Sequence, residues 1–345
     1  MQVFRGFRHP GLATHCALTI GNFDGVHRGH QAMLALLINE ARHRGLASCV
    51  MTFEPHPRDH FAALAGKPET APRRIATLRD KLSELERCGV DRAVVLRFDQ
   101  RLASLSPQAF IDDVLVRGVH ARYVLVGDDF RFGAKRAGDY AMLDAAGDAH
   151  GFDVARMNSY EVHGLRVSSS AVRDALAEGR MADAQHLLGR PYTISGHVVH
   201  GRKLGRALGA SEPGKDDGFR TLNLRFKHWK PAASGIFAVL VHGLAEAPLP
   251  GVANLGVRPS LDANDVNAGR VLLETHCLDW PAELGSEGAY GKIVRVELLH
   301  KLHDELRYTS LEALTAGIAK DGRDARAFFA STHAETHRQT TRDRI

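Results

Sequence analysis

The chain has 345 residues, of which 44% are hydrophobic and 25% are charged, the balance of a folded globular protein with room for two domains. These values exclude disordered and fibrous classes. The net charge is only +5, and basic residues are interleaved with acidic ones, so nucleic acid is not an expected partner.

The cysteines and the N-terminal residues together indicate the cellular compartment. Four cysteines, Cys16, Cys49, Cys88 and Cys277, form no C-x-x-C pair, which is typical of buried thiols in a reducing compartment. The first ten residues lack an apolar signal region, and no apolar run is long enough to span a bilayer. We therefore expect a cytoplasmic protein without a membrane partner.

Between residues 17 and 158, short apolar runs alternate with amphipathic helical patterns, which predicts a doubly wound parallel sheet covered by helices. Ligands of such sheets gather at the carboxyl ends of the strands. The predicted strands are 17–20, 48–53, 92–98, 122–126 and 152–157, and the predicted helices are 31–44, 77–88, 107–117 and 140–150.

The turn after the first predicted strand reads G-N-F-D-G-V-H-R-G-H and leads into a helix. Its glycines permit a close approach of the backbone to a ligand, and a helix N-terminus favours an anion. His27 and His30 can donate hydrogen bonds to that anion. A plain glycine turn remains an alternative, as does a pair of metal ligands, although no Cys or further His lies close in sequence to complete a tetrahedral set.

Two later turns fall at the same predicted edge of the sheet. The first, T-F-E-P-H-P at 52–57, has two prolines and reads on its own as a structural turn that places Glu54 and His56 at the rim. The second, V-G-D-D-F-R-F-G at 126–133, pairs acids with aromatic rings. The acids could face a cation or a hydroxyl and the rings could stack on a flat ligand, or the segment is an ordinary polar loop with an anchored Phe.

A cluster of three hydroxyls, Ser168, Ser169 and Ser170, opens a helix that carries Arg173 one turn inside. Hydroxyls cap the free N–H groups of a helix, which is a purely structural reading. The same arrangement can seat an anion, since Arg supplies a fork of donors for phosphate.

After a predicted helix at 181–188, the pattern changes at the sequence G-R-P of 189–191. Alternating apolar residues predict about six strands, and closure into a small antiparallel barrel would remove exposed edges. The strands are predicted at 193–199, 222–226, 235–242, 251–257, 270–278 and 292–299, followed by a helix at 310–330 that packs outside the barrel.

The turn that contains His27 and His30 resembles the H-x-G-H nucleotidyltransferase signature of the bacterial bifunctional riboflavin kinase/FAD synthetase family, and the resemblance covers nearly the whole chain. The serine cluster is similar to the second signature, I-S-S-T-x-x-R, of such enzymes. The resemblance implies that both histidines contact ATP phosphates. It implies further ATP contacts from Gly21, Asn22, Phe23, Asp24, Gly25, Ser168, Ser169, Ser170 and Arg173, and flavin contacts from Phe53, Pro55, His56, Asp129 and Phe130.

The second half resembles the flavokinase domain of that family. Its segment 196–209 matches the opening G-x-V-x-x-G-x-x-x-G-R-x-L-G, which implies ATP contacts from Gly205 and Arg206. An insertion at 210–218 precedes Thr221 and Asn223, which the resemblance implicates in holding Mg²⁺ and nucleotide phosphates, and Arg220 stands where the family has proline. Two later segments, G-V-A-N-L-G-V-R-P at 251–259 and L-E-T-H at 273–276, match the other two motifs of that domain, and the first implies a flavin contact from Arg258.

Glu274 is the one carboxylate in an otherwise apolar predicted strand, a costly placement unless the group is paired or functional. By resemblance it is the general base of riboflavin phosphorylation.

Taken as a member of this family, the chain is expected to phosphorylate riboflavin with ATP and then to adenylylate FMN with ATP, giving FAD and pyrophosphate. The expected division is an adenylyltransferase domain at 1–188 and a kinase barrel at 189–335, with Mg²⁺ as cofactor. The expected partners are ATP, riboflavin, FMN and FAD, with a monomer or weak homo-oligomer as the assembly. Rival hypotheses are a flavin-binding regulatory module, and another nucleotidyltransferase with an accessory barrel.

Overall fold

A computed structural model of the chain describes residues 1–158, 160–162, 165–200, 221–226, 230–257, 271–285 and 287–342. The chain divides into two compact units. The first consists of residues 1–72 and 78–171, and the second of residues 73–77 and the described residues from 172 onward. The domain division at residue 188 stays a prediction.

The first unit contains a parallel sheet of six strands in the order β1-β4-β3-β2-β5-β6, as the doubly wound prediction required. The five predicted strands are present in this sheet, and its one strand that the sequence missed is the short edge strand β1, whose exposed residues give no clear alternation. The strands are β1 (Gln2–Arg5), β2 (Cys16–Ile20), β3 (Ala47–Glu54), β4 (Arg92–Arg97), β5 (Ala121–Gly127) and β6 (Asp153–Met157).

Helices cover both faces of this sheet. Leu34, Leu37 and Ile38 of the first helix are buried on one face, whereas Phe110 and Ile111 are buried on the other. The helices are α1 (Arg28–His43), α2 (Pro57–Leu64), α3 (Leu78–Arg87), α4 (Gln100–Ala103), α5 (Pro107–Ala109) with a π-helical continuation (Phe110–Val116), and α6 (Tyr140–His150). A small hairpin, β7 (Glu161–Val162) and β8 (Leu165–Arg166), precedes α7 (Ser169–Ala177), which continues into the second unit.

The order of the strands creates a switch point at β2. The chain leaves β2 toward β3 on one side, while β5 lies on the other side of β2. In open parallel sheets, the crevice for a ligand opens at the carboxyl end of such a strand. The segment between β2 and α1 therefore occupies the expected ligand position.

The second unit is a closed antiparallel barrel of six strands in the order β10-β13-β12-β11-β14-β9, which confirms the predicted barrel. Alternate residues such as Leu224, Leu273 and Val296 fill its interior. The strands are β9 (Tyr192–Val199), β10 (Thr221–Phe226), β11 (Gly235–His242), β12 (Leu249–Val257), β13 (Val271–Cys277) and β14 (Ile293–His303), with helices α8 (Met181–Leu188) before and α9 (Leu311–Arg342) after them. None of the described helices is long and apolar enough to cross a membrane.

Helix α9 is tied to the barrel through His303, at the end of β14. The Nε2 of His303 lies 2.8 Å from a carboxylate oxygen of Asp321, and its Nδ1 lies 2.7 Å from the carbonyl oxygen of Asp304. Both neighbours are acceptors, so both ring nitrogens act as donors only when the ring is protonated. Burial lowers the pKa of His303, but the hydrogen bonds to Asp321 and Asp304 outweigh it and the net pKa is raised.

A raised pKa makes this contact pH-dependent. Its stabilisation is fully present below the unfolded pKa of about 6.5 and is lost as the pH rises through the folded value. We expect His303→Ala to reduce the free energy of unfolding by about 1.5–3 kcal/mol at pH 6, and by less at pH 9. Urea unfolding followed by circular dichroism measures this difference.

The matched control is His300→Ala, because His300 stacks on Phe328 of the same helix with ring centroids 5.1 Å apart. This variant measures the cost of losing a contact between β14 and α9 that does not involve Asp321. A constant effect of His303→Ala between pH 6 and pH 9 would contradict the protonated contact.

Candidate functional sites

The loop between β2 and α1 has a constrained backbone. Phe23 and Val26 adopt positive φ values of 47° and 41°, and Gly25 lies between them at 83°. A β-branched valine is strained in this region. Both side chains are almost fully buried against Leu34 and Ile38 of α1, and this packing holds the strained conformation in place. Such stored strain is typical of ligand-binding loops, which are formed before the ligand arrives.

His27 and His30 lie at the positive end of α1, as predicted. His27 is the N-cap residue, and its Nδ1 accepts a hydrogen bond from the backbone N–H of His30. A neutral His27 therefore carries its proton on Nε2. The two imidazole rings stack with centroids 3.6 Å apart, and Phe23 lies 4.9 Å from the His30 ring. The arrangement fixes both rings at the positive end of the helix dipole.

Strand β3 and helix α1 anchor the two ends of this loop. The N–H of Gly21 donates to the carbonyl of Met51 at 3.0 Å, and the side-chain amide of Gln31 donates to the carbonyl of Val26 at 2.8 Å. The Oδ1 atom of Asn22 is buried and has no hydrogen-bond partner among the residues that the structure describes. A buried acceptor of this kind fits a donor supplied by a ligand.

The structure brings the serine cluster to the same loop. Ser169 donates its hydroxyl hydrogen to the carbonyl of Asp24 at 3.3 Å, and Ser168 accepts from the backbone N–H of Ala171 at 3.2 Å. A Cβ on Gly29 would come within 3.3 Å of the Val167 carbonyl, so glycine permits this close approach. Ser170 is exposed in the first turn of α7.

Arg173 belongs to the second unit, where its Nε donates to the carbonyl of Arg73 at 2.6 Å. Its position beside the nucleotide phosphates stays a prediction.

The residues predicted to contact flavin follow the two strands that flank β2. Phe53 is the penultimate residue of β3 and packs edge-to-face on Phe98, at 5.8 Å between centroids. Pro55 leads to His56, which is buried and caps α2, since its Nδ1 accepts from the N–H of Arg58 at 3.1 Å. His56 thus has the structural role that the turn suggested, and the helix that it caps was not predicted.

On the other side of β2, the turn after β5 carries Asp129 and Phe130. Asp129 is exposed, and Phe130 stacks on Phe132 with centroids 5.5 Å apart. Phe132 is buried in the core, as the anchored-loop alternative supposed, while Phe130 is only half-buried. Phe132 is therefore the anchored residue of this turn, and stacking of Phe130 on a flat ligand stays a prediction.

In the barrel, three polar residues form one row across neighbouring strands. Glu274 of β13 pairs directly with Asn223 of β10 on one side and with Asn254 of β12 on the other. Directly paired residues share a face of the sheet. The Oδ1 of Asn254 is buried without a partner among the described residues. The row therefore presents a carboxylate between two amides.

Glu274 is exposed, although the residues on either side of it in β13 are buried. Along β13, Leu273 and Thr275 face the interior, and alternation turns Glu274 outward, where it is exposed. The argument from a burial penalty therefore does not apply, and a role for Glu274 depends on its position between the two asparagines.

Thr221 and Asn223 are both on β10, two residues apart and on one face. The amide nitrogen of Asn223 donates to the carbonyl of Thr221 at 3.3 Å, which leaves Oδ1 as its acceptor. Oxygen donors of this kind are the ligands that Mg²⁺ prefers, so the pair fits such an ion. Among the described residues, no group of three His, Cys, Asp or Glu side chains could hold a metal.

Some predicted residues cannot be placed. Gly205, Arg206 and the insertion at 210–218 lie outside the described residues, as does Arg258.

Comparison with known proteins matches each half of the chain separately. The FAD synthetase family model matches residues 10–171, and the riboflavin kinase model matches residues 188–329. The chain is 45% identical over 335 residues to the bifunctional riboflavin kinase/FMN adenylyltransferase of Escherichia coli, covering 96% of this chain and 99% of the relative.

The chain belongs to the bifunctional riboflavin kinase/FMN adenylyltransferase family. A relative of the same name from Haemophilus influenzae is 40% identical over 332 residues, covering 96% of this chain and 100% of the relative. The family resemblance drawn from the sequence motifs is thereby confirmed.

A solved structure agrees with the fold. A Streptococcus pneumoniae protein, described as a macrolide-efflux protein, superposes with a TM-score of 0.71 at 24% identity, covering 94% of this chain and 99% of that one. At this identity the likeness supports the fold alone.

Sequence reasoning assigned no role to three residues that lie beside predicted site residues. Asn254 stands beside Glu274, although its motif was noticed. Thr52 and Lys81 lie behind the loop that contains Asn22. A signal for Lys81 was present, since it lies three residues after Leu78 and four before Leu85, on the apolar side of α3.

Proposed function

We propose that this chain makes FAD in two steps: the barrel transfers the γ-phosphoryl group of ATP to riboflavin, and the first unit transfers an AMP group from ATP to FMN. The observation that carries the proposal is the match of both halves to the two enzyme families, each over a unit with a preorganised polar site. Transfers of this type depend on positioning and on neutralising charge rather than on a covalent intermediate.

In the first unit, a phosphate oxygen of FMN attacks the α-phosphorus of ATP and pyrophosphate leaves. The N–H groups at the start of α1 and the Nε2–H of His27 are donors suited to the phosphate oxygens. His30 is held by stacking between His27 and Phe23 and serves as a second donor. The Gly21–Gly25 loop and Ser168–Ser170 complete the nucleotide site, with Arg173 as a further phosphate ligand.

The flavin would lie beside this nucleotide site. Strands β3 and β5 lie on either side of β2, so the turns at their ends flank the loop. The turn at the end of β3 supplies Phe53, Pro55 and His56, and the turn after β5 supplies Asp129 and Phe130. Half-buried Phe130 offers a ring face for stacking on the isoalloxazine.

In the barrel, the ribityl 5′-hydroxyl of riboflavin attacks the γ-phosphorus and ADP leaves. Glu274 accepts the hydroxyl proton, a role that suits an outward-facing carboxylate with access to a ligand. The Oδ1 of Asn254, which has no partner in the part of the chain that the structure describes, is an acceptor for another ribityl hydroxyl. Gly205 and Arg206 would bind ATP and Arg258 the flavin, as the resemblance implies.

Mg²⁺ is part of the proposal for the kinase site, with Thr221 and Asn223 as the residues that would hold it. When bound, the ion would neutralise charge on the phosphates. We expect that chelating divalent cations with EDTA abolishes FMN formation, and that added MgCl₂ restores it. Activity that persists in EDTA would contradict a metal requirement.

The proposal as a whole is tested by incubating the purified chain with riboflavin, ATP and MgCl₂ and separating FMN from FAD by chromatography. Both products are expected. A regulatory flavin-binding module would form neither, and a different nucleotidyltransferase would form no FAD from supplied FMN. We further propose that the chain acts in the cytoplasm, as a monomer or weak homo-oligomer.

A further inference from the structure

Lys81 is a fully buried cation in the first unit. It lies in α3, where its side chain has 0% exposure, close in sequence to buried Leu85. An ammonium group removed from water costs several kcal/mol of free energy unless hydrogen bonds compensate it. Neither step of the proposed chemistry uses Lys81, so its burial calls for another explanation.

The hydrogen bonds of Lys81 lead to the nucleotide loop. Its Nζ lies 3.2 Å from Oγ1 of Thr52, which is also fully buried, and that Oγ1 lies 3.1 Å from the carbonyl oxygen of Asn22. Because an ammonium group only donates, the Thr52 oxygen is the acceptor of the first bond. The single hydroxyl hydrogen of Thr52 is then directed at Asn22. A charged donor at the start of such a series of hydrogen bonds polarises the Thr52 hydroxyl and strengthens its bond to Asn22.

This series of hydrogen bonds ends at Asn22. Strand β3 holds the start of the loop twice, through the Met51 carbonyl to the Gly21 N–H and through Thr52 to the Asn22 carbonyl. Fixing the Asn22 backbone also fixes the position from which its side chain extends. The Oδ1 of Asn22 is buried and without a partner among the described residues.

We propose that Lys81 and Thr52 are positioning residues for nucleotide binding: they hold Asn22 so that its Oδ1 accepts a hydrogen bond from a hydroxyl or amine of the ATP nucleoside. The inference rests on the proposed adenylyltransferase function of this unit. The bond is made equally to bound ATP and to the transition state. Losing it therefore raises the KM for ATP and leaves kcat nearly unchanged.

Thr52→Val is the decisive variant, because it removes the hydroxyl and keeps the shape. In FAD formation from FMN, we expect its KM for ATP to rise about tenfold, while Thr52→Ser, which retains the hydroxyl, stays near wild type. Lys81→Met should raise the same KM. The KM of the double variant should be no higher than that of the single variant with the larger effect, since both substitutions interrupt the same series of hydrogen bonds.

The matched control is Thr19→Val. Thr19 is a fully buried threonine on the neighbouring strand β2, but its Oγ1 lies 3.3 Å from the sulfur of Met33. Its KM for ATP should stay at the wild-type value, and riboflavin phosphorylation should be unchanged in every variant.

The inference is overturned if Thr52→Val keeps the wild-type KM for ATP, or if Thr19→Val raises it equally. If Lys81→Met does not fold, Thr52→Val with its serine counterpart decides alone. A wild-type chain that forms no FAD from FMN and ATP would overturn the proposed function and this inference together.

Discussion

Glu274→Gln is expected to lower the rate of riboflavin phosphorylation by about 10² to 10⁴-fold, the usual effect of losing a general base. The substitution preserves size and removes the only group in the row of Asn223, Glu274 and Asn254 that can accept a proton. FAD formation from supplied FMN should survive, because it uses the first unit. Initial rates of FMN and FAD formation measure both activities in one preparation.

Glu297→Gln provides a matched control in the same barrel. Glu297 lies on β14, where a carboxylate oxygen is 3.1 Å from Nε2 of His242 and 3.5 Å from Arg295. Its loss removes a contact with His242 and an ion pair with Arg295, and it should leave the kinase rate near wild type, because Glu297 lies outside the row of Asn223, Glu274 and Asn254. If Glu274→Gln and Glu297→Gln behave alike, Glu274 is a structural acid rather than the base.

His30→Ala should produce the opposite pattern, with FAD synthesis reduced by about 10² to 10³-fold, as for the loss of one preorganised donor to the reacting oxygens. The ring stacks on His27 at the start of α1, so its removal also loosens the neighbouring donor. FMN formation should stay within about twofold of wild type, because the barrel supplies that activity.

The same substitution at the other end of α1 is the control. His43 is exposed in the last turn of the helix, and His43→Ala should leave both activities intact. Equal loss of both activities in His30→Ala, with an unchanged circular dichroism spectrum, would show that the two sites are coupled.

The sequence alone predicted the elements of the fold because their signals are local. The apolar run of β2, the glycine turn and the periodic residues of α1 lie within 28 consecutive positions, from Cys16 to His43, and alternation marks the barrel strands without knowledge of their partners. The two histidines at the helix start follow from the same local pattern. Edge strand β1 lacks such a pattern, because only one of its four residues is buried.

Only the tertiary structure decided how distant residues meet. Pairing across three barrel strands placed Glu274 on an exposed face between two asparagines, whereas the sequence showed only a carboxylate in an otherwise apolar strand. The link from Lys81 through Thr52 to Asn22 spans 29 and then 30 residues of chain. Helical and strand periods report which face of an element is buried, but the partner on that face depends on strand order and helix packing. Contacts between elements are therefore absent from any local pattern.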